Sequence, residues 1–201
     1  TALVIGNGES RQHINISEFS RGYDTIGCNA IHRDCPVDFL VCCDRRMIEE
    51  AVVSKNTKYT EIYVRDEWFH YYRKIRKDRR IHQIPELPYT GDKKQDEPIH
   101  WGSGPYAVLL GATCEYDTIM MIGFDLYPSN KKINNIYKNT NNYAKKDANP
   151  VDPSYWIYQI SKVFQYYKNK EFVIWNHAGW EVPALWKRSN VSFESYTKNN
   201  A

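Results

Sequence analysis

No stretch of this chain approaches the roughly 20 consecutive apolar residues of a bilayer-spanning helix. Its opening Thr1-Ala2-Leu3-Val4-Ile5 carries no charged segment ahead of the short apolar run, so neither a membrane span nor a secretion signal is expected. Charge of one sign is scarce as well. The 27 basic and 24 acidic residues leave +3, too little by itself to call for a nucleic-acid or anionic-lipid partner. The five cysteines are odd in number, lie mostly in apolar stretches and form no Cys-x-x-Cys pair. That argues against disulfides and zinc and predicts buried thiols in a reducing, cytoplasmic setting. A Gly-x-Ser-x-Gly elbow and an Asp-x-Asp pair are also missing, and Arg11 stands where the dinucleotide fingerprint needs its last glycine.

What remains is ordinary globular material. With 201 residues, 42% hydrophobic, 25% charged and a mean hydropathy of −0.67, one core of normal size is expected, not a disordered or collagen-like chain. Aromatics are the unusual class: 16 Tyr and 6 Trp supply ring faces with polar edges, which suit sugars and bases as well as cores.

Short apolar runs rich in β-branched residues recur at Ala2 to Ile5, Thr25 to Cys28, Val37 to Cys43, Glu61 to Val64, Thr118 to Ile122 and Phe172 to Trp175. They read as buried parallel strands. Helix-compatible stretches separate them: 44–53 behind a capping Asp44, 68–77, 103–114, and 154–167 behind Pro153. Alternating strands and helices predict an α/β fold, a single domain with a mostly parallel sheet flanked by helices. In such sheets ligands bind beyond the carboxyl ends of the strands.

Two segments break the alternation. Arg73 to Arg80 holds six basic residues in eight, which reads either as a solvated face or as a contact for a peripheral membrane or an anionic acceptor. Asn130 to Lys146 has six Asn, five Lys, two Tyr and no Gly. It is too polar for a core and reads as a mobile loop or as a lid, about 128–150, that orders over ligand.

The strand ends carry the candidate chemistry. Gly6-Asn7-Gly8-Glu9-Ser10 follows the first strand and reads either as a structural turn or as one whose amides approach a phosphate. Cys28-Asn29 follows the second, Ser103-Gly104 opens a helix, and Gly123-Phe124-Asp125-Leu126-Tyr127 closes a later strand. In this order the motifs resemble the bacterial sialyltransferases of glycosyltransferase family 42. More distantly they resemble the domain shared by motility-accessory glycosyltransferases and an archaeal pterin pyrophosphokinase. The resemblance spans residues 2–127 by motif and the rest only by order of elements.

The resemblance implies a nucleotide-sugar-binding Rossmann-like domain that transfers a sugar such as a nonulosonic acid from a CMP-type donor to a glycan hydroxyl, with no metal or other cofactor. By the same resemblance Asn7, Gly8, Ser10, Asn29, Ser103, Gly104 and Asp125 would hold the donor. Tyr127 and a second tyrosine, Tyr137 with Tyr143 in reserve, would stabilise the departing phosphate, where developing charge rewards a phenolic donor. Two departures stand out. His100 replaces the Arg the family carries three residues before Ser-Gly, and no His occupies 147–152, where the family's base lies. His100 and His177 are the substitutes by placement at strand-end turns, and Asp152 is the substitute by position.

Two rival expectations stand beside this one. Asp44 and Asp125 would gather magnesium for pyrophosphoryl transfer from ATP, or the chain is a nucleotide- or sugar-binding module without turnover. Trp175 to Trp180 is expected either to wall the nucleoside pocket or to close the core.

Overall fold

The computed structural model describes residues 1–128 and 130–196. Eight strands form one sheet in the order β5-β4-β3-β2-β1-β6-β7-β8, and every adjacent pair is parallel. In chain order they are β1 (Ala2–Ile5), β2 (Asp24–Cys28), β3 (Phe39–Cys42), β4 (Glu61–Val64), β5 (Ile81–Gln83), β6 (Thr118–Ile122), β7 (Glu171–Asn176) and β8 (Val191–Ser195). The helices are α1 (Ile16–Phe19), α2 (Arg45–Val53), α3 (Asp66–Phe69, continued as a wider turn to Ile75), α4 (Ser103–Thr113) and α5 (Ser154–Tyr166).

The central strands are apolar without interruption because both faces of the sheet are covered. All four residues of β1 are fully buried, Ala2 and Val4 in the core beneath α4 and α5, Leu3 and Ile5 in the core beneath α2. Each large aliphatic side chain buried in this way contributes about 1.5–3 kcal/mol. The expected cap of α2 is present: the Asp44 carboxylate accepts from the Arg46 amide at 2.8 Å. Pro153 stands at the start of α5, as its fixed φ favours.

Two strands have no counterpart among the expected runs. Ile81–Gln83 is only three residues long, and Val191–Ser195 alternates on a half-exposed sheet edge, so neither has the continuous apolar pattern of a buried strand.

The chain builds β1 to β5 outward in one direction, then returns through α4 to place β6 against the other side of β1. The carboxyl ends of β1 and β6 therefore diverge into connections leading to opposite faces, and such a switch point leaves a crevice.

Candidate functional site

A cavity of about 260 Å³ opens at this switch point. Its floor is backbone. The Gly6 amide donates to Ile122 O and the Gly8 amide to Gly123 O, both at 2.8 Å. A side chain at Gly8 would have its Cβ 2.3 Å from the Asp125 carboxyl carbon, so only glycine lets the two turns meet. Six residues predicted from four separate motifs, Asn7, Gly8, Asn29, Ser103, Gly104 and Asp125, line this one cavity.

Several of these side chains are already engaged. Asn7 donates to Cys28 O at 3.1 Å and accepts from Arg11 at 3.2 Å, joining the ends of β1 and β2. Ser103 accepts from the Cys43 amide at 3.1 Å. The buried Asp125 accepts from the Ser10 hydroxyl, from the Ser10 amide at 2.8 Å and from Asn176 at 3.4 Å. Ser10 is thus a partner of Asp125 and does not line the cavity. The first turn of α4 has no side-chain cap, and unpaired first-turn amides carry partial positive charge. Ser103 and Gly104 bring that end of the helix to the cavity wall.

Two backbone positions at the rim are strained. Asn29 (φ 52°) and Leu126 (φ 66°) adopt left-handed conformations, which cost a branched-chain residue such as Leu more than an Asn.

Residues 130–150 cross the carboxyl ends of β1 and β2 as a cover. Asn134 accepts from the Glu9 amide at 2.8 Å, Ile136 N donates to Asn7 O at 2.9 Å, and Lys138 pairs with Glu9. Further out, Arg33 donates to Thr140 Oγ1 and to Asn141 O at 2.8 Å each while also gripping Glu50, which accepts from Asn142 at 3.0 Å. Three asparagines in the segment, Asn130, Asn139 and Asn142, have positive φ. Asparagine tolerates that region best among non-glycine residues, so the Asn-rich composition serves the turns of a docked, glycine-free cover.

One expectation for this segment is overturned. It is not excluded from the core, because Ile136, Tyr137 and Tyr143 pack into the cluster on the α2 face. Tyr137 is 5% exposed, its hydroxyl donating to Asp34 and accepting from Arg11 at 3.2 Å. It lines neither the cavity nor its neighbour, so the polar pattern concealed an inward anchor.

A second cavity of about 210 Å³ adjoins the first, sharing Leu126, Asn134, Asn135 and Trp156 with it. Tyr127, Lys138 and Tyr143 line this second space. Burial raises the Tyr127 phenol above its ordinary value, so it keeps its proton and can donate it. The Tyr143 hydroxyl accepts from the Ala30 amide at 3.4 Å. Trp156 and the two asparagines lay outside the predicted set. The signal for Trp156 was a Trp in the first turn of a helix following a polar insertion, a pattern too common to single out.

The candidate bases do not reach either cavity. His100 faces Glu97 at 3.5 Å and Tyr155, and His177 is exposed beside Tyr196. Asp152 is exposed and accepts from the Ser154 amide at 2.9 Å, in the turn that leads into α5. Trp180 closes the core: it packs on Trp186 and Phe193 and donates to Asp125 O at 2.8 Å. All five cysteines are free, and burial pushes the Cys28 thiol up to about 12. Among the described residues no group of three His, Cys, Asp or Glu is placed to hold a metal ion, and no helix is long and apolar enough to cross a membrane.

Wider hollows lie elsewhere, about 580 Å³ between α2 and the outer cover and about 530 Å³ beyond β4 and β5. Neither contains a turn residue of β1 or β6. Fold and crevice together define a Rossmann-like α/β protein with a covered site at the switch point. Comparison of the chain with protein-family models, curated proteins and solved structures gave no match.

Proposed function

We propose that the protein is a sialyltransferase-like glycosyltransferase that takes a sugar from a CMP-type donor without a metal. The observation carrying this reading is the convergence of Asn7, Gly8, Asn29, Ser103, Gly104 and Asp125 on one crevice beside a second, covered space lined by Tyr127. The donor phosphate lies against the Gly6–Gly8 turn and the open first turn of α4, where amides favour an anion. The sugar extends past Trp156 into the second cavity. Tyr127, next to Leu126 where the two cavities meet, reaches toward the leaving phosphate from the sugar side, with Tyr143, not Tyr137, as the second tyrosine on that side. A phenol held protonated stabilises the departing charge in the transition state more than in the ground state.

One observation favours a second reading, a nucleotide-sugar-binding module without turnover. No His lines either cavity, and Asp125, the one carboxylate at the first, is held by Ser10. An acceptor hydroxyl then has no free side-chain base to receive its proton. The pyrophosphoryl reading loses support because Asp44 caps α2 and does not line the crevice with Asp125.

Thermal shift against CMP, CDP, UMP, UDP, GDP and ATP, with and without magnesium, tests these readings, since ligand at ~100 times its Kd adds about 2.7 kcal/mol. A metal-independent shift confined to cytidine nucleotides is expected. Stabilisation by magnesium and ATP alone would move the assignment to phosphoryl transfer. Release of CMP from a CMP-sugar on adding glycan acceptor separates transferase from binding module.

A further inference from the structure

The basic run 73–80 leads into β5, an edge strand, whereas the crevice lies at the centre of the sheet between β1 and β6. Arg80 immediately precedes β5, and its guanidinium donates to Thr57 O at 2.8 Å and to Val52 O at 2.9 Å. This staples the run to the segment that leads into β4. Both segments therefore sit at the amino ends of β4 and β5, whereas the crevice follows the carboxyl ends of β1 and β6. That placement sets the run apart from the crevice.

Not every cation of the run is free. Arg80 is consumed by the backbone and by Asp78, and Arg73 donates to Arg79 O. Lys74, Arg76, Lys77 and Arg79 remain exposed, joined across the staple by exposed Lys55 and Lys58. The one acid in 53–59 and 73–80 is Asp78, already paired with Arg80. Among these cations stand large side chains with no cover: Val53 is 79% exposed, Tyr59 84% and Ile75 60%.

An interleaved surface of this kind matches one occupant. Cations draw in anionic headgroups, while aliphatic and aromatic side chains enter the interfacial layer beneath them. A nucleic-acid backbone would use the charges but offer nothing to Val53 or Ile75. We propose that the face formed by residues 53–59 and 73–79 is a peripheral docking surface for an anionic lipid membrane. Docked in this way, the protein turns its crevice away from the bilayer, and ligands enter from the aqueous side. The inference is independent of what the crevice binds.

Cosedimentation of the chain with vesicles of phosphatidylcholine, with and without phosphatidylserine, tests it. Binding is expected only with phosphatidylserine and should fade as salt is raised. The triple variant Arg76→Glu, Lys77→Glu, Arg79→Glu should bind at least about tenfold more weakly, since each surface cation adds to the attraction. The double variant Val53→Ser, Ile75→Ser keeps every charge and should still lose several-fold. A melting curve of each variant confirms that it is folded. Equal sedimentation with both vesicle types, or full binding by the triple variant, would overturn the proposal. So would a double variant that binds as the parent does while duplex RNA displaces the vesicles, an outcome that points to nucleic acid.

Discussion

The floor of the crevice and its cover are built from different materials. The floor is backbone meeting backbone: Gly6 and Gly8 bond Ile122 and Gly123 at the end of β6, and the buried side chains around them are engaged, Ser10 with Asp125 and Asn7 with Cys28 O and Arg11. Apart from the backbone bond of Ile136 N to Asn7 O, the cover is held by side chains reaching across, Arg33 to Thr140 and Asn141, Asn142 to Glu50 and Asn134 to Glu9, with Tyr137 as its deepest anchor. Packed backbone admits no alternative arrangement at low cost, whereas a few partly exposed polar bonds open locally for little free energy. The site therefore combines a fixed lower half, able to preorganise charge, with an upper half able to admit ligand.

Gly8→Ala strikes the floor hardest. Its Cβ would lie 2.3–2.7 Å from the Asp125 carboxyl atoms, and Asp125 cannot retreat without losing Ser10. Overpacking of this kind costs about 3 kcal/mol, so thermal unfolding should shift down sharply and nucleotide binding should vanish. Unchanged melting would mean that the turns are looser than their hydrogen bonds indicate.

The two tyrosines first expected to work together fall on opposite sides of the comparison. Tyr127→Phe should leave stability nearly unchanged and lower the transfer rate by about a hundredfold, the loss typical of a donor aimed at developing charge. Tyr137→Phe should cost about 1–2 kcal/mol of stability by leaving Asp34 and Arg11 short of a partner, with turnover of the folded fraction preserved. The reverse pattern would place Tyr137 at the chemistry and remove Tyr127 from it.

The floor was more legible in the sequence than the cover, for a physical reason. Glycine turns after buried strands carry a local signature, because close backbone approach demands glycine whatever lies around it. The Gly6–Gly8 and Gly123 turns, Asn29 and Ser103–Gly104 could thus be marked before their convergence was known. In the cover the informative contacts are long-range: Tyr137 with Asp34, Arg33 with Asn141, Asn134 with Glu9. Nothing local distinguishes Tyr137, buried away from both cavities, from Tyr143 six residues on, which lines the second. Histidines at His100 and His177 sat beside strand ends in the sequence, but the orientation of a turn side chain is decided by its packing partners, here Glu97 and Tyr196. The edge strands β5 and β8 escaped for the related reason that short or half-exposed strands lack a continuous apolar run.

Arg33→Ala should loosen the outer cover without unfolding the protein. It removes the bonds to Thr140, Asn141 and Glu50 together, yet these groups are partly exposed, so global stability should fall by no more than about 1 kcal/mol. Limited trypsin digestion at Lys138, Lys145 and Lys146 should quicken several-fold, and a bound nucleotide that the cover encloses should restore protection. Cleavage at the parent's rate would show that Tyr137 and the inner bonds to Glu9 and Asn7 keep the cover in place without Arg33.

The smallest effect follows from His32, on the turn after β2 and 3.6 Å from Glu50. Burial outweighs the attraction of Glu50 and holds the His32 imidazole below its ordinary 6.5, while the Arg33 bond holds Glu50 below its ordinary 4.5. A histidine with a depressed folded pKa takes up a proton more readily in the opened chain than in the folded one. Its contribution is therefore intact above 6.5 and is lost as the pH falls below that value. Glu50 adds its own loss only lower, as the pH drops through 4.5 toward its depressed folded value. Between about pH 7 and pH 5 a weakening through His32 is expected, ahead of any loss through Glu50. Amide exchange at 139–143 should accelerate over that interval relative to the amides of β1, and His32→Gln should flatten the difference. If β1 and the cover accelerate together, the outer attachment of the cover does not open independently of the floor.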